Sequence, residues 1–93
     1  MSDRRIECPV TVPHGKELGE FANAFRVLQD AASEWFLDFL VYSEREKMAT
    51  VVARVRVQGE MLPAIRDRLN ASLLSEIPPE QALLSWFPPK GVN

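Results

Sequence analysis

The 93-residue chain is predicted to have an α+β fold: an antiparallel β-meander of three or four strands, then a long amphipathic helix and a short C-terminal helix. Two observations predict this fold. Branched and aromatic residues concentrate in three runs separated by turn-forming segments, which is typical of strands joined by hairpins. After the third run, the apolar spacing changes from two residues to three or four, which indicates a helix.

Three strands are predicted at residues 21–28, 35–43 and 50–58. The segments between them, QDAASE and EREK, supply turn formers and solvated charges. A further strand at residues 6–12 is possible, because apolar and polar residues alternate there. Pro9 would restrict this strand to a sheet edge, since proline has no N–H to donate to a second neighbour.

The long helix is predicted over residues 60–76, where leucine and isoleucine recur at helical spacing. Pro63 falls in the first turn, where a missing N–H removes no intrahelical hydrogen bond. The proline pair at 78–79 ends this helix, and residues 79–87 are predicted to form a short second helix or a docking tail. All these elements are assigned to a single domain, residues 1–93.

Composition excludes several classes of protein. Eleven basic residues against 13 acidic ones give a net charge of −2, which disfavours a dedicated nucleic-acid or anionic-membrane binder. Cys8 is the single cysteine, so no intrachain disulfide can form. No apolar run is long enough for a signal peptide or a membrane span, and the predicted location is the cytoplasm. Because a chain of this length buries a small core, a homodimer is expected.

The central strand, in the stretch EWFLDFLVY, carries an aspartate among apolar residues. An ionised carboxylate in such a place needs counter-charges. A register that puts Arg26 and Arg54 opposite Asp38 supplies one from each neighbouring strand. The same register gathers an apolar face, here named the odd face: Phe25, Val27, Trp35, Leu37, Phe39, Val41, Val51, Ala53, Val55 and Val57.

The opposite face, here named the even face, combines apolar and charged side chains. Its charged residues Arg26, Asp38 and Arg54 lie in a row across the three strands, here named the charged row. The even face also carries Arg56 and the apolar side chains of Ala24, Leu28, Phe36, Leu40, Tyr42 and Val52. The long helix is expected to cover the odd face, which leaves the even face as an apolar patch on a monomer. We therefore expect the even face to form the dimer interface, where the charged row fixes register. The predicted interface residues are Arg26, Phe36, Asp38, Leu40, Tyr42 and Arg54.

The motifs FANAFRV, EWFLDF and VVARVRV, with the helix that follows, resemble a family of small prokaryotic proteins of unknown function. Its members read roughly YANxFxV, EFxLDF, a strand with a central arginine, and a helix. The resemblance covers residues 20–73 and matches Asp38 and Arg54 to the family aspartate and arginine. Phe21 stands where the family has tyrosine. The resemblance implies the strand–strand–strand–helix order and no activity.

No enzyme is predicted, because no second carboxylate, histidine or glycine-rich loop accompanies Asp38. Two arginines would also hold this carboxylate ionised rather than make it a general acid. Cys8, His14 and Glu17 do not follow a known metal-ligand spacing, so no metal or other cofactor is expected. Asn23 is expected to satisfy backbone groups near a strand start.

The predicted function is that of a small homodimeric adaptor or scaffold subunit that binds another protein. Trp86 and Phe87 are candidate docking residues. The preferred prediction for them is that they fold back and seal the core, because the core of a chain of this length is small. The alternative is a nucleic-acid-linked regulator that uses a modest arginine cluster. That cluster consists of Arg54, Arg56, Arg66 and Arg68.

Overall fold

The computed structural model describes residues 4–74 and 83–88 and confirms the α+β class. In chain order, the elements are β1 (Arg4–Glu7), β2 (Ala24–Gln29), β3 (Trp35–Ser43), β4 (Met48–Val57), α1 (Met61–Leu74) and β5 (Leu83–Trp86).

Strands β2, β3 and β4 form the predicted antiparallel meander, with β3 in the centre. Arg26 on β2 lies opposite Asp38 on β3, and Asp38 lies opposite Arg54 on β4. The register predicted from the charged row is therefore confirmed. A slip of one residue would have placed the carboxylate on the other face of the sheet.

One irregularity interrupts the ladder between β3 and β4. Phe39 lies opposite Ala53, but the next residue, Leu40, lies opposite Val51, so that Val52 is the additional residue of a β-bulge. Beyond the bulge Val41 faces Thr50. The prediction that Val51 and Val41 belong to one face is therefore wrong, because the inserted residue shifts the alternation of β4 by one.

The turn between β2 and β3 is organised by Asp30. Its Oδ1 accepts hydrogen bonds from the backbone N–H groups of Ala32 (3.0 Å) and Glu34 (2.9 Å). The backbone N–H of Asp30 donates to the Glu34 carbonyl at 3.0 Å, closing the loop. Asp and Asn favour such positions because their short side chains can bond backbone groups a few residues ahead.

The turn between β3 and β4 contains Lys47 in a left-handed conformation, with φ of 55°. A side chain is strained in this region, whereas glycine enters it freely. We expect Lys47→Gly to raise the free energy of unfolding by about 0.5–1 kcal/mol. Urea unfolding would measure the change. Glu46→Gly, in the same turn but without a positive φ, is the control and should not stabilise the protein.

Strand β1 pairs antiparallel with β5, in a two-stranded sheet of its own. A fourth strand of the meander was predicted at residues 6–12, but the strand lies at Arg4–Glu7 and its partner is the tail. It ends before Pro9, which cannot donate to a ladder. The prediction of a short helix at 79–87 is also wrong for Leu83–Trp86, which form a strand because their backbone pairs with β1. Residues 79–82 lie outside the described residues.

Helix α1 spans Met61–Leu74, and Pro63 lies in its first turn as predicted. The remainder of the predicted range, residues 75–76, lies outside the described residues. None of its residues is buried, and Leu69 and Leu73 of its apolar stripe are exposed. The spacing of the apolar residues therefore predicted the helix correctly, but it did not predict that Leu69 and Leu73 would be exposed. Within residues 4–74 and 83–88, no helix has both the length and the apolar character needed to cross a membrane.

The chain divides into two compact units. Residues 12–57 form one unit, which contains the meander and both of its turns. Residues 1–11 and 58–93 form the other, which contains β1, α1 and β5. The assignment of both to a single domain stays a prediction.

Candidate functional site

Asp38 is fully buried, with 0% of its side chain exposed, at the centre of the meander. Arg26 donates from Nε to Oδ2 of Asp38 at 2.8 Å. Arg54 donates from Nε to Oδ1 at 2.7 Å and from Nη2 to Oδ2 at 2.8 Å. Three charge-assisted hydrogen bonds thus satisfy a carboxylate that would otherwise be costly to bury. This Arg–Asp–Arg arrangement is the predicted charged row.

The two arginines hold Asp38 in different ways. Arg54 makes the two-point, parallel contact that suits a planar guanidinium and a carboxylate. Its guanidinium carbon also lies 5.4 Å from the centre of the Phe36 ring, within the range of a cation–π contact. Arg26 is anchored through Nε. The side chains of Arg26 and Arg54 remain 52% and 46% exposed, so both reach from the carboxylate into solvent.

Hydrogen bonding by Arg54 is the main reason that the pKa of Asp38 falls from 3.8 to about 2. Burial opposes this shift, and the hydrogen bond from Arg26 and the charges of both arginines reinforce it. The pKa of Arg54 is raised in turn by its hydrogen bond to Asp38. Asp38 is therefore ionised at neutral pH and is unsuited to donating a proton as a general acid.

The lowered pKa of Asp38 predicts how stability depends on pH. A carboxyl group whose pKa is lower in the folded state stabilises the protein fully above its unfolded pKa of 3.8 and loses this contribution as pH falls towards about 2. We expect the difference in unfolding free energy between wild type and Asp38→Asn to be constant above pH 5 and to shrink below about pH 4. Urea unfolding from pH 2.5 to 7 would measure it. A difference independent of pH would contradict the pairing.

The odd face of the meander, from which the β-bulge removes Val51, is exposed over part of its length, whereas Val57 at one end of it is buried. Phe25, Phe39 and Val55, one on each strand, are 73%, 41% and 48% exposed. Val27 is exposed beside them. Phe25 lies opposite Phe39 in the register, and Val27 lies opposite Leu37, which lies opposite Val55. These side chains form a continuous apolar surface across three strands.

The even face, predicted as the interface, is partly buried within the single chain. Asp38 and Leu40 are buried, so neither offers surface to a partner. Phe36 is half-buried and Tyr42 is exposed. The interface role of these residues, and of Arg26 and Arg54, stays a prediction. Sequence reasoning missed the exposure of the odd face, because both faces carry enough apolar residues to be buried.

Three of the four arginines of the predicted nucleic-acid cluster contact carboxylates, and the fourth, Arg68, lies half-buried on α1. Arg54 belongs to the charged row, Arg56 lies 3.6 Å from Glu34, and Arg66 donates to Asp67 at 3.0 Å. The last two pairs are exposed. Paired arginines contribute less to a field that attracts phosphates. The alternative function stays a prediction.

The remaining candidates have local contacts. His14 and Glu17 are exposed and 3.9 Å apart. Within the part of the chain that the structure describes, no group of three or more His, Cys, Asp or Glu residues could hold a metal ion. The side-chain amide of Asn23 accepts from the Tyr42 N–H at 2.7 Å and donates to the Tyr42 carbonyl at 3.1 Å, which confirms the predicted backbone role.

The two aromatic residues of the tail have different surroundings. Phe87 is buried, and its carbonyl accepts a hydrogen bond from the side-chain amide of Gln58 at 3.3 Å. Trp86, at the end of β5, is exposed. Of the two predicted docking residues, only Trp86 presents a substantial surface.

No family model, no curated protein and no solved structure matches this chain. The family resemblance carried by FANAFRV, EWFLDF and VVARVRV therefore stays a prediction.

Proposed function

We propose that the protein is a small, non-enzymatic binding subunit that acts as a homodimer joined through the odd face. The observation that carries this proposal is the exposed apolar surface of Phe25, Val27, Phe39 and Val55. Contiguous apolar patches of this kind on a small protein mark sites of association. Its aromatic residues match the composition of interface centres.

A second copy of the chain is the partner that best fits this surface. The odd face carries no charged residue, so that it can pack against itself around a two-fold axis without like-charge repulsion. Among the described residues, the buried apolar side chains are Leu40 and Val57 in the unit that contains the meander and Phe87 in the other unit, so that each unit buries few of them. Burying the odd face of two copies would add apolar contact where the single chain has little.

The charged row supports a structural rather than a catalytic role for Asp38. Its oxygens accept three hydrogen bonds, and its pKa is lowered, away from the range of a general acid at neutral pH. A buried, fully bonded row across three strands specifies one register of the sheet. It thereby positions Phe25, Phe39 and Ala53 side by side on the opposite face.

Sedimentation equilibrium of the purified chain tests the dimer. We expect a mass of twice 10.5 kDa at micromolar concentrations, with reversible dissociation on dilution. A monomer mass up to about 100 μM, a concentration at which even weak specific dimers form, would contradict the proposal.

A further inference from the structure

The charged row contains two arginines and one carboxylate, and therefore one positive charge in excess. Oδ2 of Asp38 accepts from both Arg26 Nε and Arg54 Nη2, each at 2.8 Å. The two guanidinium groups are thus held close together by one shared oxygen. The pair of Arg56 with Glu34 has no net charge and leaves this excess unchanged.

Donors remain available on the outer side of the row. Each guanidinium has five N–H groups, of which the bonds to Asp38 use one on Arg26 and two on Arg54. Asp38 is buried and both arginines are about half exposed, and the remaining N–H groups of the two guanidiniums make no hydrogen bond to Asp38. Phe36 under Arg54 restricts the rotation of that guanidinium. The row therefore presents a pre-positioned pair of cationic forks.

We propose that Arg26 and Arg54 together bind a carboxylate group of a ligand on the even face. A carboxylate accepts two parallel N–H bonds from a guanidinium, and its single negative charge matches the single excess positive charge of the row. A phosphate dianion would overcompensate that charge. The site lies on the face opposite the proposed dimer surface and does not depend on it.

Arginine side-chain NMR on the full chain tests the site directly. With acetate as the probe at constant ionic strength, we expect saturable shifts of the Nε–H signals of Arg26 and Arg54, with a midpoint on the order of millimolar. The Nε–H signals of Arg56 and Arg66 should change little. If the carboxylate belongs to a polypeptide, a triglutamate peptide should give the same pattern at a lower concentration than acetate. If the carboxylate belongs to a small acid, triglutamate should need a concentration at least as high as acetate.

Several outcomes would overturn the carboxylate site. Non-saturating shifts spread over all arginines would show general screening, and saturation by inorganic phosphate without saturation by acetate would contradict the assignment of the ligand. Arg26→Lys keeps the charge and removes the fork, so that it should weaken acetate binding at least tenfold while Arg56→Lys leaves it unchanged. Equal weakening by both variants would also refute the site. None of these outcomes bears on the proposed dimer, which the mass of the protein in solution tests separately.

Discussion

Replacing Asp38 with asparagine is expected to lower the midpoint of thermal unfolding by roughly 5–10 °C. The substitution leaves Arg26 and Arg54 without the carboxylate that accepts three of their hydrogen bonds. Asparagine also has an N–H₂ donor in place of one acceptor oxygen, so that one of the two arginine side chains faces another donor. The loss is moderated because both arginines are half exposed and water can replace part of the lost interaction.

Glu34→Gln is the matched control for Asp38→Asn. It also removes a carboxylate that faces an arginine, but the pair of Glu34 with Arg56 is exposed and 3.6 Å apart. Exposed pairs contribute little, so the midpoint should change by less than about 3 °C. Scans at one protein concentration keep any effect of association constant. Equal losses in the two variants would mean that the charged row has no special role in stability.

Replacing Phe39 with asparagine is expected to weaken the dimer by about 2 kcal/mol or more, which is roughly thirtyfold in Kd. Phe39 lies on the central strand, between Phe25 and Ala53, and so occupies the middle of the odd face. Large effects are concentrated in aromatic residues near the centre of an interface. Sedimentation equilibrium across a dilution series would give the two dissociation constants.

Leu18→Asn serves as the control for Phe39→Asn, because Leu18 is fully exposed in the segment before β2 and lies off the sheet. It makes a similar change from apolar to amide and should leave the dissociation constant unaltered. The circular dichroism of both variants should match that of wild type, since both positions are exposed in the single chain. Unchanged association of Phe39→Asn would exclude the odd face as the dimer surface.

The meander and its charged row could be predicted because their information is local. Alternation assigns residues to faces, and placing an arginine opposite Asp38 on either side selects one register. The β-bulge at Val52 was not predictable in this way. It adds one residue to a strand whose sequence, MATVVARVRV, continues the same β-forming pattern on both sides of the irregularity.

The sequence by itself determined the α+β class, the three central strands, the helix and the neighbours of Asp38, because periodicity and charge pairing act between residues that are adjacent on a strand or across a hairpin. Only the tertiary structure decided that β1 pairs with β5 and that Phe25 and Phe39 stand exposed. Pairing of distant segments and burial of a face depend on which surfaces meet after folding. Two faces with similar apolar content leave that choice open in the sequence.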